Sequence, residues 1–215
     1  MKMLITILLI LSVTSCKPKI EEPIAAPSIE GVEGIEGTWN LKPTCKQSSS
    51  SYLNIAEVFT QTIFSQITTV YSNSSCTTPI LTFSIAGTYV VSNITHEILE
   101  EQGDLDSTLL EFQITLNNST LVTDYNTSSE CGYNDWQLNV PKDVLGKSCD
   151  GSTLPSAGTV EYSIYRKVKV GMTFPISLIQ TNPGDLYFGT SDSTHNGTAP
   201  SQRFVSGSLS YIYAK

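Results

Sequence analysis

The sequence is short of charge, of basic residues and above all of histidine. Charged residues make up 15% of the chain, against roughly 25% in an ordinary soluble protein. Lys and Arg number 12 against 20 Asp and Glu, for a net charge of −8. Phosphate recognition needs clustered cations, so this balance argues against a nucleic-acid partner. The two histidines, His96 and His195, lie far apart, which leaves zinc binding and Ser-His or Cys-His catalysis poorly supplied. Gly-x-Ser-x-Gly, His-Glu-x-x-His and a phosphate-binding glycine loop are all missing. No enzyme, cofactor or resident metal is therefore expected. No long segment shows a period of 3.6, and no internal repeat is found.

What the sequence does have is alternation. The chain is 40% hydrophobic over 215 residues, enough for one packed domain of ordinary size. Its polar balance is carried by Ser, Thr and Asn, which suits an extracytoplasmic β protein. In Leu81–Tyr89, the apolar residues 81, 83, 85 and 89 alternate with small or polar ones, the pattern of a strand with one buried face. In Leu110–Leu116 the apolar residues fall at even positions. Val160, Tyr162, Ile164 and Val168 form the expected buried face of a third strand, with Glu161, Ser163 and Lys167 on the other. Leu209, Tyr211 and Tyr213 repeat the pattern at the C-terminus, and residues 55–70 read as a less regular pair of strands. Turns are predicted at 71–79, Gln102-Gly103-Asp104, Asn117-Asn118-Ser119, Asp150-Gly151-Ser152, Asn182-Pro183-Gly184 and His195-Asn196-Gly197. Residues 120–130 fit either a short helix or a loop. About eight to ten strands joined by short turns imply one all-β antiparallel barrel or sandwich over residues 37–215.

The first 36 residues have a different character. Lys2 precedes the apolar run Leu4–Leu11, too short for a membrane span, and the run ends in Val13-Thr14-Ser15-Cys16. This ending resembles the lipobox of bacterial lipoproteins. The resemblance implies that residues 1–15 are a signal peptide and that Cys16 is acylated, palmitate included, to anchor the protein in a membrane. Lys17 stands where an aspartate favours retention in the inner membrane, so the expected location is the cell envelope, at the outer membrane. Residues 16–36, with Pro18, Pro23, Pro27 and five glutamates, read as an extended tether.

Setting Cys16 aside leaves Cys45, Cys76, Cys131 and Cys149. An even number in an exported chain implies two disulfides, with three possible connectivities. The sequential pairing closes the shortest loops, which favours it. None of the spacings is Cys-x-x-Cys and no histidine is near, so metal binding is not expected.

Gly37-Thr38-Trp39 is followed in order by Tyr71-Ser-Asn-Ser-Ser-Cys76-Thr-Thr-Pro79, Gly87-Thr88-Tyr89, Cys131-Gly132, Trp136 and Cys149. Tyr162, Leu186-Tyr187-Phe188-Gly189 and Arg203 complete the series. The Gly-x-Trp opening resembles that of lipocalins. The ordered set resembles the domain of the Wnt-inhibitor family named for down-regulation by the adenomatosis polyposis coli protein, together with its bacterial lipocalin-like relatives. The resemblance spans nearly all of residues 37–215. It implies a lipocalin-like barrel around an apolar ligand, and the disulfides Cys45–Cys76 and Cys131–Cys149. Phe204 follows Arg203 where the family usually has proline, and the chain has one such domain where animal members have two. The inhibition of Wnt is not carried over to a bacterial lipoprotein.

The candidate ligand-binding residues are Trp39, Tyr89, Trp136 and Arg166, with further tyrosines at 162, 187, 211 and 213. Arg166 falls on the expected apolar face of its strand, and a charge there needs a partner. It is expected to stack on Trp39 at the closed end of the barrel, or to pair with a ligand carboxylate, with Arg203 the second candidate for either role. His96 is expected to be half exposed on a strand and His195 solvated in a turn. Asp104, Asp106, Glu100 and Glu101 form an acidic group that lacks the ligand ladder of a calcium loop.

The expected function is a lipid-anchored protein that binds a small apolar molecule, such as a fatty acid or lipid, without chemistry. The competing expectation is a filled barrel that acts through its outer surface as an envelope or adhesion module. An apolar interior space of several hundred Å³ separates the two.

Overall fold

The computed structural model describes residues 34–97, 100–169, 184–190, 192, 194–204 and 206–215, with the backbone alone at 190 and 206–211. The signal segment, Cys16, most of the tether and the Asn182-Pro183 part of the expected turn lie outside these residues. No helix among the described residues is long and apolar enough to cross a membrane.

The strands are β1 (Gly37–Lys42), β2 (Lys46–Ser48), β3 (Ser51–Thr60), β4 (Ile63–Tyr71), β5 (Pro79–His96), β6 (Glu100–Leu116), β7 (Pro141–Asp143), β8 (Ser148–Cys149), β9 (Ser152–Thr153), β10 (Val160–Val168), β11 (Leu186–Thr190) and β12 (Ser206–Ala214). Eight of them, β1, β3, β4, β5, β6, β10, β11 and β12, form a closed antiparallel barrel in which chain neighbours are also sheet neighbours. β1 closes it, pairing with β3 on one side (Gly37 opposite Phe59) and β12 on the other (Asn40 opposite Ala214). Closure removes the exposed edges that an open sheet of this length would present. β2 and β7 extend the sheet beside β3 and β6, and β8 and β9 form a separate ribbon.

β5 and β6 are the longest strands, at 18 and 17 residues. The inward alternation of Leu81, Phe83, Ile85 and Tyr89 holds, with partners Leu116, Ile114, Phe112 and Ser107 on β6. The β6 expectation holds for Phe112, Ile114 and Leu116 but fails for Leu110, which is 49% exposed. The register changes from Ala86–Glu111 to Gly87–Leu109, so Leu110 is the extra residue of a β-bulge and turns outward.

The expected turn at Gln102-Gly103-Asp104 is instead continuous strand, paired to both β5 and β10. Gly103 is there for a different reason. The Tyr165 ring lies over it, and a Cβ at this position would sit 2.5 Å from that ring. A glycine inside a strand marks a close approach as readily as a turn.

The facing of β10 is also the reverse of the expectation. Glu161 and Ser163 line the interior and Tyr165 packs in the core, so Tyr162, Ile164 and Arg166 occupy the outer face. That face is covered nonetheless. The segment 197–204 docks at the strand's edge, where the Tyr162 amide donates to the Gly197 carbonyl at 2.9 Å and the Phe204 amide to the Tyr162 carbonyl at 3.2 Å. Its side chains turn over the face, Arg203 above the Tyr162 ring and Phe204 close to Ile164 around Gly189. Ile164 is consequently 4% exposed. A strand covered on both sides does not reveal its inner face through hydrophobicity.

Two hydrophobic clusters mark the two ends. The first joins Ile35, Trp39, Leu41, Phe59, Tyr89, Leu105, Tyr165, Leu186 and Tyr213. Trp39 is fully buried, and its indole N–H donates to the Ile35 carbonyl at 2.6 Å. Gly34 and Ile35, assigned from sequence to the tether, are buried and form part of this plug. The second cluster joins Ile114, Leu116, Cys131, Trp136 and Val144. Above it lies the helix α1 (Ser119–Ser128), the segment left open between helix and loop. Asn118 caps it, its side chain accepting from the amides of Thr120 at 2.9 Å and Leu121 at 3.1 Å. The disulfides are Cys45–Cys76 and Cys131–Cys149.

Candidate functional site

Between the two clusters the barrel is hollow. The cavity has a volume of about 380 Å³. Alternation along the strands supplies its wall: Ile55, Glu57 and Phe59 from β3, Phe64 and Gln66 from β4, Ile85 from β5, and Leu105, Ser107, Leu109 and Phe112 from β6. Ser163, Phe188 and Tyr213 complete the wall from β10, β11 and β12. Pro155, Thr159 and Glu161 stand at the rim, where all three are exposed. Glu57, Phe59, Leu105 and Tyr213 are buried at depth. The space is thus plugged at the Trp39 end and reached from the end where β10 begins.

The polar groups in this wall are few and placed with care. Glu57, Ser163 and Asp185 are the buried polar residues among those described. Asp185 is paired with Lys42 at 3.2 Å, and the other two line the cavity. Glu57 is 6% exposed, and Gln66 donates to its Oε1 at 2.7 Å. Burial pushes its pKa up to about 7. Hydrogen bonds from Gln66 and Tyr213 oppose that rise, and the negative charge of Glu161 adds to it. Desolvation by the surrounding wall raises Glu161 as well, although its side chain reaches solvent at the rim. Among the described residues, no Lys, Arg or His lines the cavity.

None of the four residues singled out from the sequence is part of this lining. Trp39 plugs the end below it, and the cation over its ring is Lys215, 5.0 Å from the centroid. Arg166 is on the outer face, 3.2 Å from Glu100, which also accepts from the Tyr187 hydroxyl at 2.6 Å. The expected stacking of Arg166 on Trp39 followed from the inverted reading of β10. Tyr89 belongs to the closed-end cluster, edge-on to Phe59 at 5.1 Å, and its buried hydroxyl meets no hydrogen-bond partner among the described residues. Trp136 sits in the second cluster between Tyr125 and Tyr133, its indole N–H donating to the Glu130 carbonyl at 3.1 Å.

Of the further tyrosines, Tyr213 lines the cavity. Tyr162 lies under Arg203, and Tyr187 is held by Glu100. The side chain of Tyr211 is outside the described residues.

The remaining polar candidates are structural. Arg203 pairs with Asp106 at 2.5 Å and Asp104 at 3.5 Å, so these carboxylates already have a cation. His96 is exposed beside Glu101, and His195 is held by Asp192 in a turn. Glu130 approaches Cys131 and Cys149, but both sulfurs are in a disulfide and offer no thiolate.

The cavity residues missed in the sequence carried one usable signal. In Ile55-Ala56-Glu57-Val58-Phe59, Glu57 alternates with Ile55 and Phe59. It is a charge on an apolar face, the same anomaly that drew attention to Arg166.

No protein-family model matches the chain, and no curated protein matches it.

Proposed function

We propose that the protein is a membrane-anchored lipoprotein whose barrel binds one small molecule with a mainly apolar body, without chemically altering it. The observation that carries this reading is the cavity of about 380 Å³ inside the closed barrel. That volume lies within the range of small-molecule sites, which bury most of an apolar ligand against a largely preformed wall. A barrel acting only through its outer surface has no use for such a space. Binding would draw on the apolar wall of Phe59, Phe64, Ile85, Leu105, Leu109 and Phe112, at about 25 cal/mol per Å² buried before ordering costs. The anchor at Cys16 and the lipocalin-like ancestry rest on the sequence resemblances alone.

Titration with N-phenyl-1-naphthylamine, a neutral apolar fluorophore, tests the reading. We expect saturable uptake of one probe per barrel, lost in Leu109→Trp and Ile85→Trp, which fill the cavity, with the circular dichroism spectrum retained. Uptake unchanged in both folded variants, or no uptake by the parent protein, would overturn it.

A further inference from the structure

We infer that the ligand carries a cationic head group, an amine on an apolar body, which Glu57 and Glu161 receive. This deepens the reading of the barrel as a ligand carrier and rests on it.

The inference stands on what the cavity holds and on what it lacks. A buried carboxylate costs free energy unless its hydrogen bonds are joined by a paired positive charge. Two carboxyls face this space from strands on different sides of the wall, Glu57 on β3 and Glu161 on β10. They occupy different depths. Glu57 is 6% exposed, whereas Glu161 stands exposed at the rim. The other groups close to Glu57 are Gln66 on β4 and Tyr213 on β12. Gln66 donates to Glu57 at 2.7 Å and Tyr213 hydrogen-bonds the same carboxyl, so what Glu57 lacks is a counter-ion.

No cation among the described residues enters the cavity to balance the two acids. The nearby basic side chains are committed elsewhere: Arg166 to Glu100 and Arg203 to Asp104 and Asp106, on the outer face of β10. A fatty-acid anion would therefore place a third carboxylate beside two others, in a chain whose net charge is −8. An ammonium head group reverses every one of these terms. Its charge favours the ionised, acceptor-only form of both carboxyls and supplies their donors in a partly desolvated site, where charge-assisted hydrogen bonds are strongest. The rim acid would meet the cation first and the buried acid would hold it.

The test uses three probes with one chain length: decylamine, decanol and decanoate, competed against the neutral fluorophore at pH 7. We expect decylamine to bind about tenfold or more tighter than decanol, the ratio that one charge-assisted hydrogen bond supplies, and decanoate to bind weakest. Glu57→Gln with Glu161→Gln should abolish the preference for decylamine over decanol. Each single variant should remove part of the preference. Decanol or decanoate binding as tightly as decylamine, with the fluorophore still taken up, would overturn this inference and leave the carrier reading intact. Failure of the fluorophore and all three probes to bind would overturn the carrier reading itself.

Discussion

Glu57 is the residue at which folding and binding pull in different directions. Its neighbours in sequence make a good strand, yet its carboxyl is buried beside Phe59 with Gln66 as a donor. Burial raises its pKa from the ordinary 4.5 to about 7. The folded state therefore holds a proton that the unfolded chain has released anywhere between those two values. The sign follows: this group favours folding fully below pH 4.5, and that contribution is lost as pH rises to about 7. The loss is on the order of 3 kcal/mol in all. Glu57→Gln keeps an acceptor for Gln66 and cannot ionise. Chemical denaturation should show the variant equal to the parent near pH 4 and more stable by that order at pH 8. Parallel pH profiles would contradict the account.

Gly103 offers a second test at the same scale. Gly103→Ala should destabilise by about 1–3 kcal/mol, because its methyl group meets the Tyr165 ring. The sequence displays both residues and places neither. Gly103 was visible as a breaker, and whether it served a turn or a close contact depended on a tyrosine 62 positions away. Glu57 was legible as a charge among apolar neighbours. Arg166 showed the same anomaly, and its meaning turned on which face of β10 looked inward.

At the scale of elements, the strands were legible wherever one face met water. β5 displays its alternation because Thr82, Ser84 and Thr88 are outward. β10 hides its own because the segment 197–204 covers the outer face and the polar Glu161 and Ser163 line the inner one. The bulge opposite Ala86 and Gly87 shifts Leu110 by one residue, and nothing local in β6 announces it. Helix α1 was ambiguous because Ser, Thr, Asp and Asn compete for the backbone in its interior. Asn118 resolves it by capping the first turn.

The Cys131–Cys149 disulfide then ties the turn after this helix to β8, above the second cluster. Replacing both cysteines by alanine should raise hydrogen exchange across residues 119–154 and leave β3, β4 and β6 protected, since the barrel closes without that segment. Uniform loss of protection would show that the two parts unfold as one unit.

The whole molecule is a meander that closes on itself, with Trp39 at one end and a hollow middle. Closure was inferable in kind from strands, short turns and the Gly-x-Trp opening, and the two disulfides are those the resemblance implied. The cavity was not legible, because volume is a property of how eight strands meet. At this scale the proposed anchor makes its own prediction. Cys16→Ser should abolish incorporation of labelled palmitate and release the barrel from the membrane fraction, whereas retention of both in the variant would contradict the lipoprotein reading.

The most direct measurement for the central claim is native mass spectrometry of the exported full chain, before and after extraction with organic solvent. The account predicts a stoichiometric small-molecule adduct that extraction removes, and that the extracted barrel takes up one decylamine. A clean mass throughout, with no uptake of decylamine, decanol or the neutral fluorophore, would contradict it.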